Sequence, residues 1–570
     1  MLYIDFLKKS IKKEILSLQN KIFFDKKPNL NFSIENTPNR SFGEVSTNVA
    51  LINAKNINIK PLEFALKIKE GLEIKKEIKL IDIVKPGFIN ITFRKEYWHQ
   101  QFKLLASKSL ESFYASKELK KFNLEYVSAN PTGLMHIGHA RGAVLGDVLA
   151  SILECVGHNV TREYYINDAG NQILSLMNTI YHYFPKDSKC FKEKKNDIDI
   201  YPGEYLKSIT KKILKKYDIQ DIDKSKDEIK IQVLLNIMND IKLDLENMDI
   251  KHDNFVSEKE LIVEKDITSF ITYLKKNDLA YIGYQDPPKG VNNKNWKKQQ
   301  QLLFKSKRLG DDSDRALMKK NGEITYFMSD IIYHQDKVKR NFDVLLNIWG
   351  ADHHGYVARI KNAVKSVAKK EIHFEVLLTA LVNLIKNKKP VKMSKRMGDY
   401  VTLREVLEEV GKDAIRFMMI SRSHDKIIDF DFDVIKQKSK DNQVYYVKYA
   451  HARCASIKRN TKKLFTTNNY DISQLQLDVE IDLIKKLANY SIIIRQCAEN
   501  LEPHRLTNYL YELSKKFHNY WSLGNIDSKK KIVVTNNISL SVARITLVSI
   551  VQKILKDGLD ILKIDAPEEM

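Results

Sequence analysis

The sequence predicts a mixed α/β chain: a parallel-sheet domain that carries an insertion, with a smaller α+β domain before it and an all-helical domain after it. Three observations predict this. A strand-length apolar run, Phe122 to Val127, turns into a helical-period segment, and a second apolar strand, Val160 to Asp168, follows as a right-handed βαβ unit requires. Between roughly Tyr181 and Arg308 lies a Lys-rich stretch with helical periodicity, as in IKIQVLLNIMNDIKLDLENM, too long for a crossover loop and so an insertion. From about Gly411 onward the apolar spacing is helical. At 570 residues the chain exceeds what one core organises.

Taken in order, residues 1–95 form the α+β unit. The opening MLYIDFLKKSIKKEILSLQ is amphipathic and basic, but it contains Asp5 and Glu14, lacks Arg and runs into a globular pattern, so it reads as a first helix rather than a transit peptide. IDIVKPGFINITF alternates apolar and polar residues around Pro86-Gly87, as an edge strand or hairpin does. A helical linker, 96–120, leads into the main domain, 121–410, whose insertion spans about 181–308; residues 411–570 form the helical domain.

The main domain opens on EYVSANPTGLMHIGHARGAVLGDVLA. After its first strand comes a turn on Asn130-Pro131-Thr132-Gly133, then His136-Ile137-Gly138-His139, then a helix ending near Cys155 with Gly157 placed to stop it. Both histidines therefore sit at a helix N-terminus, where free N–H groups and the positive dipole end favour an anion. Their imidazoles can donate to phosphate oxygens, and Gly138 leaves room for a flat base. A lone His-x-x-His is more often a pair of incidental surface histidines. Downstream, NGEITYFMSDIIYH puts Tyr326 and Asp330 on one face if helical. A strand from Val344 ends in Gly350, Asp352 and His353, which fits a nucleotide at the carboxyl edge of a Rossmann-like parallel sheet; an Asp-His pair capping a helix is the alternative. Tyr445, Tyr449 and Arg453 follow at helical spacing beside Lys448 and His451, suited either to stacking unpaired bases or to packing in a bundle.

Composition narrows the class. Hydrophobic content of 43% and charged content of 29% fit a globular protein, and no run of 18 apolar residues suggests a membrane span. The four cysteines form no Cys-x-x-Cys pair, against zinc or a disulfide framework and in favour of a reducing, cytoplasmic setting. A net charge of +23 suggests a polyanionic partner, although Lys far outnumbers Arg and such bias also follows genome composition.

The stretch Pro131-x-Gly133-x-x-His136-Ile137-Gly138-His139 resembles the first signature of class I aminoacyl-tRNA synthetases, and Lys392-Met393-Ser394-Lys395, far downstream, resembles the second. FGEVSTNVALINAK and VKPGFINI resemble the N-terminal domain of arginyl-tRNA synthetases, which touches the tRNA elbow. Asp413-Ala414-Ile415-Arg416 and YYVKYAHAR resemble the anticodon-binding helices shared by arginyl and cysteinyl enzymes, and the ending DAPEEM is similar to the family's Pro-x-x-Met. The cysteinyl enzyme depends on a cysteine-ligated zinc that these cysteines cannot build.

The resemblance implies ATP-dependent attachment of L-arginine to its tRNA through an arginyl-adenylate. It implies that His136, Gly138, His139, Gly350, Asp352, Lys392, Ser394 and Lys395 bind ATP, with His136, His139, Lys392 and Lys395 stabilising the departing pyrophosphate. Mg2+ is expected on the phosphates, with few protein ligands. For arginine, Asp330 is the planar anion, Tyr326 stands beside it, Glu125 is a second carboxylate and Asn130 holds the α-amino or carboxylate end. Tyr445, Tyr449 and Arg453 are expected on tRNA, and the enzyme is expected to be a monomer. An editing site in the insertion is not expected: a pocket of paired buried polar groups rejects analogues lacking the matching donors by roughly 10⁴–10⁵-fold, and lysine lacks the guanidinium fork. Rivals are another class I synthetase, a small-molecule adenylyltransferase, and an inactive RNA-binding paralogue.

Overall fold

The structure, a computed structural model, describes residues 2–19, 27–37, 39–56, 58–184, 203–216, 225–264, 266–284, 300–319, 321–368, 371–391, 401–462 and 471–570. At its centre, β1 (Lys121–Glu125), β2 (Asn159–Ile166), β3 (Asn254–Ser257), β4 (Val344–Gly350) and β5 (His373–Thr379) make one all-parallel sheet in the order β5-β4-β1-β2-β3. Four of the five residues of β1 and the first five of β4 are buried, as strands covered on both faces must be. With β4 on one side of β1 and β2 on the other, the chain order reverses at β1, and a crevice opens there at the carboxyl ends.

Helix α1 (Ile137–Cys155) follows β1 and ends as expected: the next residue but one, Gly157, takes φ +100°, which only glycine adopts without strain. Helix α2 (Tyr326–Lys339) starts where Thr325 accepts a hydrogen bond from the Met328 amide, and α3 (His354–Val367) follows β4. Residues 181–308 are not wholly an insertion. Asn254–Ser257 pairs with β2 and closes the core sheet, a strand too short to stand out behind the 22-residue helix Lys226–Asn247. Two further strands of the insertion, Ala280–Tyr284 and Gln300–Phe304, form a three-stranded antiparallel sheet with Arg315–Met318, which follows it. Phe304 and Leu317 of that sheet share a second core with Phe327, Met328 and Ile331 of α2, so the insertion holds α2 in place.

The N-terminal unit is an antiparallel sheet with helices, and its Ile78–Val84/Phe88–Phe93 hairpin turns at Pro86-Gly87 as the alternation predicts. The linker is not one helix: Lys95–Ser107 stops, and a single turn, Glu111–Tyr114, follows. The N-terminal unit rests on the helical domain through Glu44–Lys485 at 2.5 Å and Asp5–Arg495 at 3.1 Å.

In the helical domain, α4 (Gln443–Asn460), α5 (His504–Ile526) and α6 (Ile538–Ile561) pack together. Among the described residues α6 alone is long and apolar enough to cross a membrane, and 67% of its most apolar window is buried inside the protein. The domain is tied to α1: Arg416, fully buried, pairs with the fully buried Asp147 of α1 at 2.6 Å, and Lys563 reaches the same carboxylate at 2.8 Å. Two cations share this buried carboxylate, so Asp147 keeps a partner in Lys563 even without Arg416.

Candidate active site

A cleft of about 810 Å³ opens at the carboxyl ends of β1, β2 and β4. Of the residues the sequence singles out, it brings together Glu125, Asn130, His139, Tyr326, Asp330, Gly350 and Asp352. Its floor turns sharply. Val127 and Ser128, at the end of β1, take φ of +68° and +39°, values a β-branched residue adopts only when its surroundings force it. They are held from β2: Tyr164 donates to the Ala129 carbonyl at 2.7 Å, and the Tyr165 amide donates to Ser128 Oγ at 3.1 Å. The bend presents Asn130 to the cleft.

The two histidines behave differently from the sequence expectation. His136 caps α1 with its own ring, Nδ1 accepting from the Gly138 amide at 3.1 Å, and its backbone amide donates to His139 Nδ1 at 3.3 Å. The His139 and Ala140 amides bond the His136 carbonyl, so these N–H groups of the first turn are taken rather than open to an anion. With Nδ1 accepting, each neutral ring carries its proton on Nε2. The rings stack at 3.8 Å. A Cβ on Gly138 would lie 3.0 Å from the His136 ring, so the space above this glycine is filled by that ring and not kept for a base.

The second signature, Lys392, Ser394 and Lys395, lies outside the described residues. Its flanks are described: Lys389–Val391 ends a hairpin with Val382–Lys386, and at Thr402 the chain pairs antiparallel with His136 itself. Arg141 of α1 fixes this platform by donating to the carbonyls of Ala380, Leu381, Ser423 and Lys426.

On α2, Tyr326 and Asp330 share the face toward the cleft, as their spacing predicts. Asp330 accepts from the Tyr356 hydroxyl, and among the described residues no cation pairs with it. Burial pushes its carboxyl up to about 7; the Tyr356 hydrogen bond opposes this, Glu125 and Glu258 reinforce it, and Lys337 opposes it. Glu125, 4% exposed, is already paired with Lys337 at 2.5 Å and accepts from Ser128 Oγ at 3.3 Å. At the end of β4, Asp352 and His353 are exposed and 3.6 Å apart, and His353 makes no side-chain cap at α3, so the capping alternative fails.

Three family models together match nearly the whole chain. A model described as the arginyl-tRNA synthetase N-terminal domain matches residues 5–93, the class I (R) tRNA synthetase catalytic domain matches 101–458, and the DALR anticodon-binding domain matches 447–570. An arginine–tRNA ligase of Wolbachia pipientis wMel is 41% identical over 95% of both chains, and one of Pelagibacter ubique is 40% identical over 92% of both. The chain belongs to the arginyl-tRNA synthetase family. It is a class I ligase that charges tRNA with arginine at the expense of ATP. The Thermus thermophilus arginyl-tRNA synthetase structure shares the fold, with a TM-score of 0.74 at 20% identity over 99% of this chain and 100% of that one.

In the synthetase's helical domain, Tyr445, Tyr449 and Arg453 share one face of α4. The tyrosine rings stack at 5.9 Å, and the Arg453 guanidinium lies between the Tyr449 and Trp521 rings, 4.4 and 3.9 Å from their centroids. Two neighbours read as potential base contacts are structural instead. Lys448 pairs with Asp413, and His451 is buried with Nδ1 on the Pro567 carbonyl, tying the C-terminal tail to α4.

Sequence reading missed Glu258. It follows β3 directly, is 4% exposed, lines the cleft, and its Oε2 is buried without a hydrogen-bond partner among the described residues. Burial raises its carboxyl, the Ser329 hydroxyl opposing and Asp168 reinforcing the shift. A carboxylate just past a parallel strand was the available signal, had the strand been recognised.

Proposed function

We propose that the cleft recognises arginine through Asp330 and Glu258, which meet the guanidinium, with Tyr326 beside them and Asn130 on the α-amino or carboxylate end. Glu125, its charge balanced by Lys337, contributes an acceptor oxygen to the wall rather than the countercharge. The observation that carries this is Asp330: a carboxylate in the cleft with no cation of its own among the described residues, on the face that also bears Tyr326. A planar cation with five donors suits two carboxylates approached from different elements.

ATP lies across β1 and β4 in this reading, with Gly350 and Asp352 at its ribose and His136 and His139 at its phosphates. The imidazole Nε2–H groups donate to phosphate oxygens, while Lys392, Ser394 and Lys395 meet the charge that develops as pyrophosphate leaves. An arginine carboxylate oxygen attacks the α-phosphorus, forming arginyl-adenylate and expelling pyrophosphate; a hydroxyl of the tRNA's terminal ribose then attacks the carbonyl, expelling AMP. Among the described residues no three His, Cys, Asp or Glu side chains stand as a metal-holding group, and Mg2+ is counted here as part of the nucleotide substrate. Tyr445, Tyr449 and Arg453 contact tRNA in the 411–570 domain, and residues 1–95 contact its elbow. We further take the enzyme to act as a cytoplasmic monomer without zinc.

The test is pH dependence. Arginine needs Asp330 ionised, and burial holds this carboxyl at about 7. With saturating ATP and tRNA, kcat/KM for arginine therefore rises about tenfold per pH unit below that midpoint and levels off above it. A profile flat between about pH 6 and 8 removes Asp330 from the guanidinium.

A further inference from the structure

Beneath the arginine cleft lies a network of whose charged members only Glu125 reaches the cleft wall. Lys337 is fully buried on α2, seven residues after Asp330 and on the same face as Tyr333 and His334. Its ammonium donates to Glu125 at 2.5 Å and to Asn347 of β4 at 3.1 Å, and lies 4.0 Å from Glu163. Glu125 and Glu163 are cross-strand partners on β1 and β2, so two carboxylates stand side by side under the cleft. Arg340, one helical turn further, takes Glu163 with two hydrogen bonds of 2.5 and 2.9 Å, and Tyr333 donates to Glu163 at 2.8 Å. Asn347 donates to His334 Nε2 at 3.0 Å, which leaves that ring neutral with its Nδ1 proton on the Asp330 carbonyl at 2.8 Å. The two buried carboxylates thus face two cations, Arg340 reaching outward as well to the half-buried Asp336 at 2.9 Å.

That balance has a consequence for arginine. A buried ion pair is weak evidence for stability, since its desolvation offsets its attraction. This pair instead decides which carboxylate carries free charge. We propose that Lys337 is a positioning residue for arginine recognition: its buried ammonium neutralises Glu125 and pins it in the cleft wall, leaving Asp330, with Glu258 opposite, to meet the guanidinium. The inference rests on Asp330 being the guanidinium partner. The groups facing Asp330 are Tyr326, Tyr333, His334 and Lys337 on its own helix, Glu125 on β1, Tyr165 on β2, Glu258 after β3, and Tyr356 on α3, with Glu163 of β2 beyond Lys337.

Opposite substitutions test it, with kcat/KM for arginine followed against pH by arginine-dependent ATP–pyrophosphate exchange in the presence of tRNA. Lys337→Met leaves negative charge in the floor, and the acid limb moves upward by on the order of one pH unit, the effect of a unit charge about 10 Å away at an effective dielectric of about 20. Glu125→Gln leaves Lys337 uncompensated, so the limb moves downward by a similar amount while the KM for arginine rises. The double variant restores neutrality and returns the midpoint to within about 0.3 unit of wild type, with the KM for ATP changed less than about threefold throughout. Should Lys337→Met fail to fold, Glu125→Gln and the double variant decide the matter. Midpoints that stay put in the folded variants, with activity lost equally at every pH, make Lys337 a purely structural residue and overturn the inference. An Asp330→Asn enzyme that still separates arginine from citrulline overturns instead the reading on which it rests.

Discussion

Replacing Asp330 by Asn lowers kcat/KM for arginine by roughly 30-fold to several thousand-fold, measured at about pH 8 so that the wild-type carboxylate is ionised. The substitution keeps shape but removes the charge and one acceptor. The substrate's cation is then desolvated without its partner, a cost of about 2–5 kcal/mol. The KM for ATP changes little, since Asp330 lies on α2 and the proposed phosphate contacts lie on α1. Citrulline, the neutral isostere, gives an independent reading: the wild-type enzyme rejects it, and the Asn variant discriminates much less. Unchanged discrimination moves the specificity carboxylate elsewhere, with Glu258 the next residue to replace.

Replacing Lys395 by Ala lowers kcat for activation by about 10²–10³-fold with the KM for arginine nearly unchanged, as expected of a contact made mainly in the transition state. Lys395 itself lies outside the described residues, but the chain that follows it is pinned to His136 at Thr402, next to the proposed phosphate contacts. A defect confined to the KM for arginine shows that these lysines serve binding rather than the departing pyrophosphate.

Local rules made much of the fold legible. The strand, the turn and helix α1 were readable from an apolar run, Asn-Pro-Thr-Gly and the stop at Gly157, because each is set within a few residues. Tyr326 and Asp330 were legible for the same reason, their four-residue spacing needing only a helix. Glu258 was not, because its strand is four residues long and pairs with β2 across ninety residues of sequence. Lys337 looks like a surface lysine until β1 and β4 are laid beneath α2. Lys448 and His451 erred in the other direction: a basic, aromatic helix face looks like an RNA contact, yet tertiary partners, Asp413 and the Pro567 carbonyl, had already claimed both. Functional geometry here is written in long-range pairs, which spacing along the chain does not record.

The central claim is that this cleft activates arginine, and ATP–pyrophosphate exchange tests it most directly. The purified full-length enzyme is offered each amino acid separately, with and without tRNA. Exchange with arginine alone, and only when tRNA for arginine is present, is the expected result. Exchange driven by another amino acid, or none with arginine and tRNA together, contradicts the account.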